Sequence, residues 1–458
     1  MQLPSVPKGP STQLVAKAGG EDLEFQVQRF SSLDETDLAW ATLPEVVMKL
    51  WAGPLPTTPA IGPMLSSSAK TLGRAVLPHA GPTVTRVGPV LVIDTSVQST
   101  RMTAAVVEEL VRRYGSSKSI RLPILGAGSL VRAALGVRRV KRGIRAATSD
   151  AGLGTPASLQ SELAKVEILR RRFAKVRLPD QGVSTVVVAS QQNSSIRAML
   201  SVAHRQGVAS CYIPHAPTAY NQIYRDLPTT HALLRGIEDV YVYRHLGAKP
   251  ADRLIVVGNP AAEPGPSPGS PPSSDIVYAP STHHVDVIRA DIAVILEACD
   301  QPIKVAMHPL MDLATYQDLL PPTWQVVSAP DTLSYLRQHG AKALIQHSSG
   351  VALDALTLGI DVVDLCDPGG HPNYHFMREP HVQIVTDGNE LRNALQALPG
   401  RAEASTQRAE YARRWCADDR PAAELIVDAI QSAHAERGGD SEVLLDGWSD
   451  HFEERGNP

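Results

Sequence analysis

The segment from Gln346 to Leu365, QHSSGVALDALTLGIDVVDL, places a turn, a short helix and a buried strand directly after one another. Ala343 to Ile345 lead into it as an apolar strand, and apolar residues recur at helical spacing from Val351 until Gly359 ends the pattern. Strands that alternate with helices in this way are typical of α/β domains. The alternation continues on both sides of the segment, with strands predicted near 119–125, 276–279, 343–346 and 361–365 and a helix over 312–320, so we expect an α/β fold.

The turn in this segment has the composition of a phosphate-binding site. Ser348, Ser349 and Gly350 stand where the helix begins, so unpaired backbone N–H groups and the positive end of the helix dipole are expected there. Asp354 follows on the same helix, where a carboxylate can accept hydrogen bonds from ribose hydroxyls. An ordinary serine cap on a structural helix would give the same pattern, and the turn alone does not distinguish the two.

Polar residues also follow three other predicted strands. His308 and His215 each come directly after a short apolar strand, and Ser281 and Thr282 follow a third. In open α/β sheets, ligands bind at the carboxyl ends of the strands. These residues therefore belong to the same candidate site as the serine turn. A histidine that only bonds its own loop is the structural alternative for His215 and for His308.

The order of these motifs along the chain resembles the GT-B glycosyltransferase superfamily. Within it, the likeness is to the CDP-glycerol glycerophosphotransferases of teichoic acid synthesis and to related capsular polysaccharide transferases, over roughly Cys211 to Asp364. The ordered motifs are Pro214-His215, Val257-Gly258-Asn259-Pro260, Tyr278-Ala279-Pro280-Ser281-Thr282, His308-Pro309 and Ser348-Ser349 with a later acidic residue.

The chain departs from those families at three places. It has Ala216 where they usually have glycine after the histidine, and Ser281-Thr282-His283 where they have Thr-Trp-Arg or similar. The spacing from Ser348 to Asp354 is wider than theirs and is similar to that of the nucleotide-sugar 2-epimerases of the same fold. An epimerase and a catalytically silent binding protein therefore stay open beside a transferase.

The resemblance implies two Rossmann-like domains with a cleft between them. It also implies a metal-independent bacterial transferase that moves a sugar or a polyol phosphate from a nucleotide-activated donor to a cell-surface glycan or a lipid-linked precursor. His215 would be the general base, and His308 would donate to a donor phosphate. The expected donor-binding residues are Ser348, Ser349, Gly350, Asp354, Ser281 and Thr282.

Several other activities lack their motifs in this sequence. No G-x-x-x-x-G-K-[ST] occurs, so a P-loop is excluded. Gly126-Ala127-Gly128 follows an apolar stretch, but Val131 stands where the third glycine of a dinucleotide-binding loop belongs. No D-x-D pair is present to hold a divalent cation against a diphosphate. We therefore expect neither a cofactor nor a metal.

Basic residues dominate one part of the N-terminal half. Between Leu110 and Ser149 there are ten Lys or Arg residues and no acidic one, with apolar residues at helical spacing. Such a segment can lie on an anionic membrane, so we expect peripheral membrane contact through residues 112–145. Binding to an anionic polymer and a plain solvated helix face are the alternatives. Tyr114 is the one aromatic residue for base stacking in that part of the sequence, so no nucleic acid is expected.

The chain of 458 residues is long enough for two domains, and 43% of its residues are apolar. Its four widely spaced cysteines and the lack of a long apolar run predict a cytoplasmic protein, at most peripheral at the inner face of the membrane. The predicted divisions are an irregular extension (1–84), an acceptor domain (85–258), a linker (259–275), a nucleotide-donor domain (276–400), a C-terminal helix (401–436) and a mobile acidic tail (437–458).

Overall fold

The computed structural model describes residues 82–94, 97–123, 125–148, 157–190, 194–218, 229–245, 253–261, 273–280, 285–308, 316–327, 331–366, 381–398 and 420–435, with a few single residues between them. Most of the predicted extension, the middle of the predicted linker and the predicted acidic tail lie outside the described residues. Ser281 and Thr282 lie outside them too. The division into domains given above stays a prediction at its boundaries.

The first sheet has seven strands in the order β3-β1-β2-β4-β5-β6-β7. From β2 to β7 neighbouring strands are parallel, whereas β1 pairs antiparallel with both β2 and β3. The strands are β1 (Thr83–Val87), β2 (Val90–Asp94), β3 (Ser117–Ser119), β4 (Thr185–Val188), β5 (Ala209–Tyr212), β6 (His231–Leu234) and β7 (Arg253–Val256).

The second sheet has six strands, all parallel, in the order β10-β9-β8-β11-β12-β13. Its central strands are mostly apolar and almost wholly buried because helices cover both faces of a parallel sheet. The strands are β8 (Ile276–Ala279), β9 (Lys304–Val305), β10 (Gln325–Val326), β11 (Ala343–Gln346), β12 (Asp361–Leu365) and β13 (Val382–Val385).

Ten α-helices within the described residues connect and cover these strands. They are α1 (Val97–Tyr114), α2 (Ala127–Thr148), α3 (Ala157–Ala174), α4 (Ser194–Arg205), α5 (Ile237–His245), α6 (Val285–Ala298), α7 (Thr332–His339), α8 (Val351–Thr357), α9 (Gly388–Gln396) and α10 (Ala422–Ala435). The last of them, α10, returns to the first sheet, where Ile426, Val427 and Ile430 pack in one buried cluster with residues of α1, β2 and β4.

The two sheets share a buried apolar cluster. Val188 of β4 and Leu344 of β11 belong to it, and both are fully buried. Burying a valine or leucine side chain is worth roughly 1.5–3 kcal/mol, so apolar packing contributes to holding the two domains against each other. The GT-B arrangement consists of two α/β domains with parallel-core sheets and a last helix that packs on the first sheet. The predicted fold class is confirmed by this topology.

Some predicted elements differ in the structure. A strand was expected over 119–125, but only β3 forms, and it pairs with β1 at the antiparallel edge while Leu122 and Leu125 are buried outside any strand. A helix was expected over 312–320, and the part of it that is described contains a single 3-10 turn, Gln317–Leu319. Strands β1, β6, β7 and β13 were not predicted as strands.

Candidate functional site

The strand order of the second sheet reverses between β8 and β11. From β8 the chain proceeds outward to β9 and β10, and from β11 it proceeds to β12 and β13 on the other side. Such a switch point leaves a crevice at the carboxyl ends of the two central strands, which is where open α/β sheets bind ligands. The serine turn follows β11 directly. Ser281 and Thr282 follow β8 in the sequence. They lie outside the described residues, so their predicted role stays a prediction.

The serine turn is held in an unusual backbone conformation. Ser348 has φ 46°, in the left-handed region that side chains other than glycine seldom occupy. Its N–H donates to Asp364 Oδ1 at 2.6 Å, and the N–H of Ser349 donates to Gln346 Oε1. Gln346 Nε2 donates to the same oxygen of Asp364 at 2.6 Å. Two buried side chains from β11 and β12 therefore fix the turn.

These bonds change which groups of the turn can bind a phosphate. The sequence predicted backbone N–H groups free for a ligand at this helix start, but those of Ser348 and Ser349 already have partners. Val351 N–H lies 3.5 Å from Ser349 Oγ, at the limit of a hydrogen bond. The two serine hydroxyls and the Gly350 amide are the groups that the turn retains for a ligand.

A buried polar network lies beneath the turn. Asp291 of α6 accepts a hydrogen bond from the Tyr278 hydroxyl at 3.0 Å, and its other oxygen lies 2.9 Å from His347 Nδ1. Burial raises the pKa of Asp364 to about 7, against the lowering effects of the Ser348 amide, His347 and Gln346. Sequence reasoning missed this network, although an aspartate inside the apolar strand DVVDL was a signal that could have found Asp364.

The turn touches the loop that follows β5 in the first domain. A Cβ atom added to Gly350 would lie 2.9 Å from Cδ of Pro217, closer than real Cβ contacts permit. Gly350 has an ordinary helical φ of −61°, so the glycine is required here by the close approach and not by its backbone conformation. The loop with Pro214, His215 and Pro217 therefore faces the serine turn across the domain boundary.

His215 has a defined tautomer when it is neutral. Its Nδ1 lies 3.0 Å from the carbonyl oxygen of Ala189, which can only accept, so Nδ1 carries the proton and Nε2 holds the lone pair. Burial lowers the pKa of His215, the hydrogen bond to Ala189 opposes this, and the charge of Arg235 lowers it further. The ring is therefore neutral at pH 7. The bond to Ala189 orients the ring without using the basic nitrogen.

Arg235 and Asp354 meet at the domain boundary. Arg235 follows β6 and is 4% exposed, while Asp354 lies on α8 of the second domain. Arg235 Nη1 is 3.9 Å from Asp354 Oδ1, and Nη2 donates to the backbone oxygen of His215 at 3.3 Å. Burial raises the pKa of Asp354, and the charge of Arg235 opposes the rise. Sequence reasoning predicted Asp354 for the site but not Arg235.

A second ion pair crosses the same boundary. Arg101 of α1 binds Asp331 at 2.6 Å, and Asp331 also caps α7 by accepting from the Ser334 amide at 2.8 Å. His308 lies after β9, at the same edge of the second sheet as the serine turn. It is half-buried, and burial lowers its pKa. The structure thus brings His215, Gly350 and Asp354 together at the boundary, with His308 two strands away.

The described part of the chain has no group of three or more His, Cys, Asp or Glu side chains arranged to hold a metal ion. None of the helices described there is long and apolar enough to cross a membrane.

Comparison with known proteins gives matches in structure only. No protein family model and no curated protein matches the chain. It is similar to a solved UDP-N-acetylglucosamine 2-epimerase with 12% identity and a TM-score of 0.45, covering 76% of this chain and 96% of that one. The calicheamicin glycosyltransferase CalG4 gives 14% and 0.43 over 77% and 98% of the chains. The wall teichoic acid polymerase TagF gives 15% and 0.38 over 59% and 77%.

By their names, these neighbours are a UDP-N-acetylglucosamine 2-epimerase, a glycosyltransferase and a wall teichoic acid polymerase. Their similarity to this chain concerns the course of the backbone, and at this identity it does not extend to a reaction. The fold assignment rests on the two sheets and the returning helix described above.

Proposed function

We propose that this protein is a metal-independent transferase that moves a sugar or a polyol phosphate from a nucleotide-activated donor to a glycan or a lipid-linked precursor of the cell envelope. The observation that carries the proposal is the opposition of two loops at one crevice. The serine turn lies at the switch point of the second sheet, and the loop of His215 touches it from the first domain at Gly350 and Pro217. A donor at the turn would thereby lie beside a candidate base.

The base in this proposal is His215. Transfer to an acceptor hydroxyl requires removal of its proton, and imidazole suits this near neutral pH. Two observations support the role: the carbonyl of Ala189 directs the proton to Nδ1, and burial keeps the ring neutral. Nε2 would accept the proton of the acceptor hydroxyl while that oxygen attacks the donor.

The leaving group in this proposal is a nucleotide phosphate. Donors aimed at its developing charge stabilise the transition state, and losing one such donor in an enzyme site costs roughly 3–4 kcal/mol. Ser348, Ser349 and the Gly350 amide would supply them, with His308 adding an N–H from the end of β9. Asp354 would bind ribose. The fixed geometry of the turn supports this role, since groups held in place need no reorganisation during the reaction.

The acceptor side of the proposal rests on helix α2. Val131 and Leu135, one turn apart on α2, are 60% and 57% exposed, while Ala133 and Val137 are buried against the protein. Arg132 is exposed in the same stretch. Exposed apolar side chains beside arginine are typical of a helix that lies on an anionic membrane. This surface would bring the protein to a lipid-linked acceptor.

The fold also removes part of the basic charge from that surface. Arg112 and Arg113 both bind Glu109, which precedes the basic segment, and Arg113 also binds Asp428 of α10 at 2.7 Å. Arg113 therefore holds α1 against α10, and Arg112 is paired within α1. The membrane contact that we propose is narrower than residues 112–145 and centres on α2.

Incubation of the purified protein with a panel of nucleotide sugars and CDP-polyols tests the proposed function. Chromatography would follow free nucleotide with and without an acceptor lipid or glycan. Release of nucleotide that depends on the acceptor is expected. A changed sugar without net release of nucleotide would instead establish an epimerase, and binding without any product would establish a binding protein.

The variant Gly350→Ala tests the contact between the two domains. Its Cβ would collide with Pro217, so the two loops must separate, and acceptor-dependent release should fall while the donor-binding groups are unchanged. A Gly128→Ala variant has open space around its Cβ, and it should behave as the wild type does. Full activity of Gly350→Ala would contradict a reaction between the two loops.

A further inference from the structure

Arg235 is a buried cation that the protein leaves incompletely bonded. Its guanidinium is almost wholly buried, yet Nε and Nη1 have no hydrogen-bond partner among the described residues. Nη2 makes one long bond, 3.3 Å, to the His215 carbonyl. Buried polar groups are nearly always bonded, so unbonded donors of this kind require an explanation.

The carboxylate nearest to Nη1 does not provide that explanation. The distance from Nη1 to Asp354 Oδ1 is 3.9 Å, which is too long for a hydrogen bond. Two arginine pairs that are at least partly buried are much shorter: Arg101 with Asp331 is 2.6 Å and Arg171 with Glu167 is 2.5 Å, whereas the exposed pair of Arg177 with Asp180 is 3.9 Å. The pair of Arg235 and Asp354 therefore differs from the ion pairs that hold this fold together.

Asp239 does not accept a hydrogen bond from the unbonded donors of Arg235 either. It is buried close by, but its oxygens accept from the backbone, Oδ1 from Thr218 at 3.1 Å and Oδ2 from Gly236 at 3.3 Å. Those bonds fix the turn that carries Arg235. They hold the guanidinium between the His215 loop and helix α8 without using its donors.

We infer that Arg235 is an anion-binding residue of the cleft, which donates from Nη1 to a phosphate oxygen of the nucleotide donor. The identity of the anion as a nucleotide phosphate rests on the proposed function. A delocalised guanidinium bonds phosphate oxygens well and keeps its charge when buried. Its position behind His215 would let one phosphate touch both domains, so donor binding would draw them together.

Calorimetry with inorganic pyrophosphate, UDP, CDP and the nucleosides uridine and cytidine tests this inference. Arg235→Gln should lower the affinity for the diphosphates and for pyrophosphate about 10- to 100-fold, since a hydrogen bond to a charged group is lost. It should leave the affinity for the nucleosides unchanged. Arg235→Lys keeps the charge and should recover part of the loss. Equal affinities of wild type and Arg235→Gln for all five compounds would overturn the inference.

Arg101→Gln is the matched control, because it breaks the short ion pair across the same boundary. It should lower the thermal midpoint without a selective loss of diphosphates, whereas Arg235→Gln should leave the midpoint unchanged or raise it. A lower midpoint for Arg235→Gln with equal losses for nucleosides and diphosphates would show a structural role and overturn the inference.

Failure of the proposed function would look different. If pyrophosphate binds the wild type through Arg235 but no nucleotide binds more tightly than pyrophosphate, the anion site stands and the donor assignment fails. If the nucleotides bind the wild type and the Arg235→Gln variant equally, the donor assignment stands and the role of Arg235 fails. Wild-type protein that binds neither pyrophosphate nor a nucleotide would refute both.

Discussion

The buried carboxyl of Asp364 predicts a stability that falls as the pH rises. Its pKa in the folded protein is raised to about 7 from an ordinary value of 3.8. Because the folded protein binds this proton more tightly than the unfolded chain does, the full contribution to stability is present below about pH 4. It is lost as the pH rises through about 7.

The size of the effect follows from the distance between the two pKa values. About three pH units at 1.36 kcal/mol each give about 4 kcal/mol, of which about 3 kcal/mol falls between pH 5 and pH 8. Asp364→Asn removes the titration and retains an oxygen that can accept from the Ser348 amide and from Gln346. The stability of the wild type relative to this variant should therefore fall by about 3 kcal/mol over that range.

Urea unfolding followed by tryptophan fluorescence at several pH values between 5 and 8 measures this difference. Other groups in the protein also titrate in the range, and subtracting the variant from the wild type removes their common contribution. A difference between the wild type and Asp364→Asn that does not change with pH would refute a raised pKa of Asp364.

A second substitution separates the charge of Asp364 from its hydrogen bonds. Asp364→Ala leaves the Ser348 N–H and Gln346 Nε2 without their acceptor, and each buried unbonded donor costs roughly 1–3 kcal/mol. This variant should be less stable than Asp364→Asn at every pH. If the two variants are equally stable, the bonds to Asp364 do not hold the serine turn.

Three further predictions concern the proposed reaction. His215→Gln should lower acceptor-dependent turnover by about a hundredfold or more in steady-state assays, because the base is lost, and donor affinity should stay unchanged. A parallel loss of donor affinity and thermal stability would show a structural role. Replacing Ser348 and Ser349 together by Ala should weaken nucleoside diphosphates by roughly 1–3 kcal/mol in calorimetry, since two hydroxyl donors are lost; an equal loss for nucleosides would contradict phosphate binding. Replacing Arg132 and Arg138 of α2 by Ser should weaken binding to anionic liposomes by about 1 kcal/mol per residue, and added salt should mimic the change; wild-type protein that ignores such liposomes at low salt would refute the contact.

The central strands of the second sheet could be predicted from the sequence to the residue. The predicted bounds 276–279, 343–346 and 361–365 are those of β8, β11 and β12. Each of these strands is covered on both faces, so it appears as a mostly apolar run, interrupted in β12 by Asp364. Burial on two sides is the condition under which a short run of sequence identifies a strand.

Strands with other surroundings could not be found in this way. β1, TVTRV, alternates polar and apolar residues because it pairs antiparallel near the edge of the first sheet. β13, VQIV, is the edge strand of the second sheet and carries a polar residue within it. β6 begins at a buried histidine, His231. For β6 and β13 the partner strands decide the conformation, and they are remote in the sequence, whereas β1 pairs with β2, the strand that follows it directly.

Residues of the candidate site also differ in whether the sequence alone could identify them. Ser348, Ser349 and Gly350 could be proposed from sequence because a strand, a turn and a helix start follow one another locally. Arg235 could not, since its meaning depends on Asp354, a residue of the other domain. The occupied amide of Ser348 also depends on a side chain from the next strand, Asp364.

Gly350 shows why a local motif gives an incomplete reason for a residue. In the sequence, the glycine is explained by the close approach of a phosphate to the helix start. In the structure, it is required by Pro217, which would lie 2.9 Å from any added Cβ. The same absence of a side chain thus serves the contact that brings the His215 loop to the turn. Because both demands act at one residue, a glycine here favours a two-domain site over an isolated helix cap, and Gly350→Ala tests the domain contact in a way that removal of the serine hydroxyls does not.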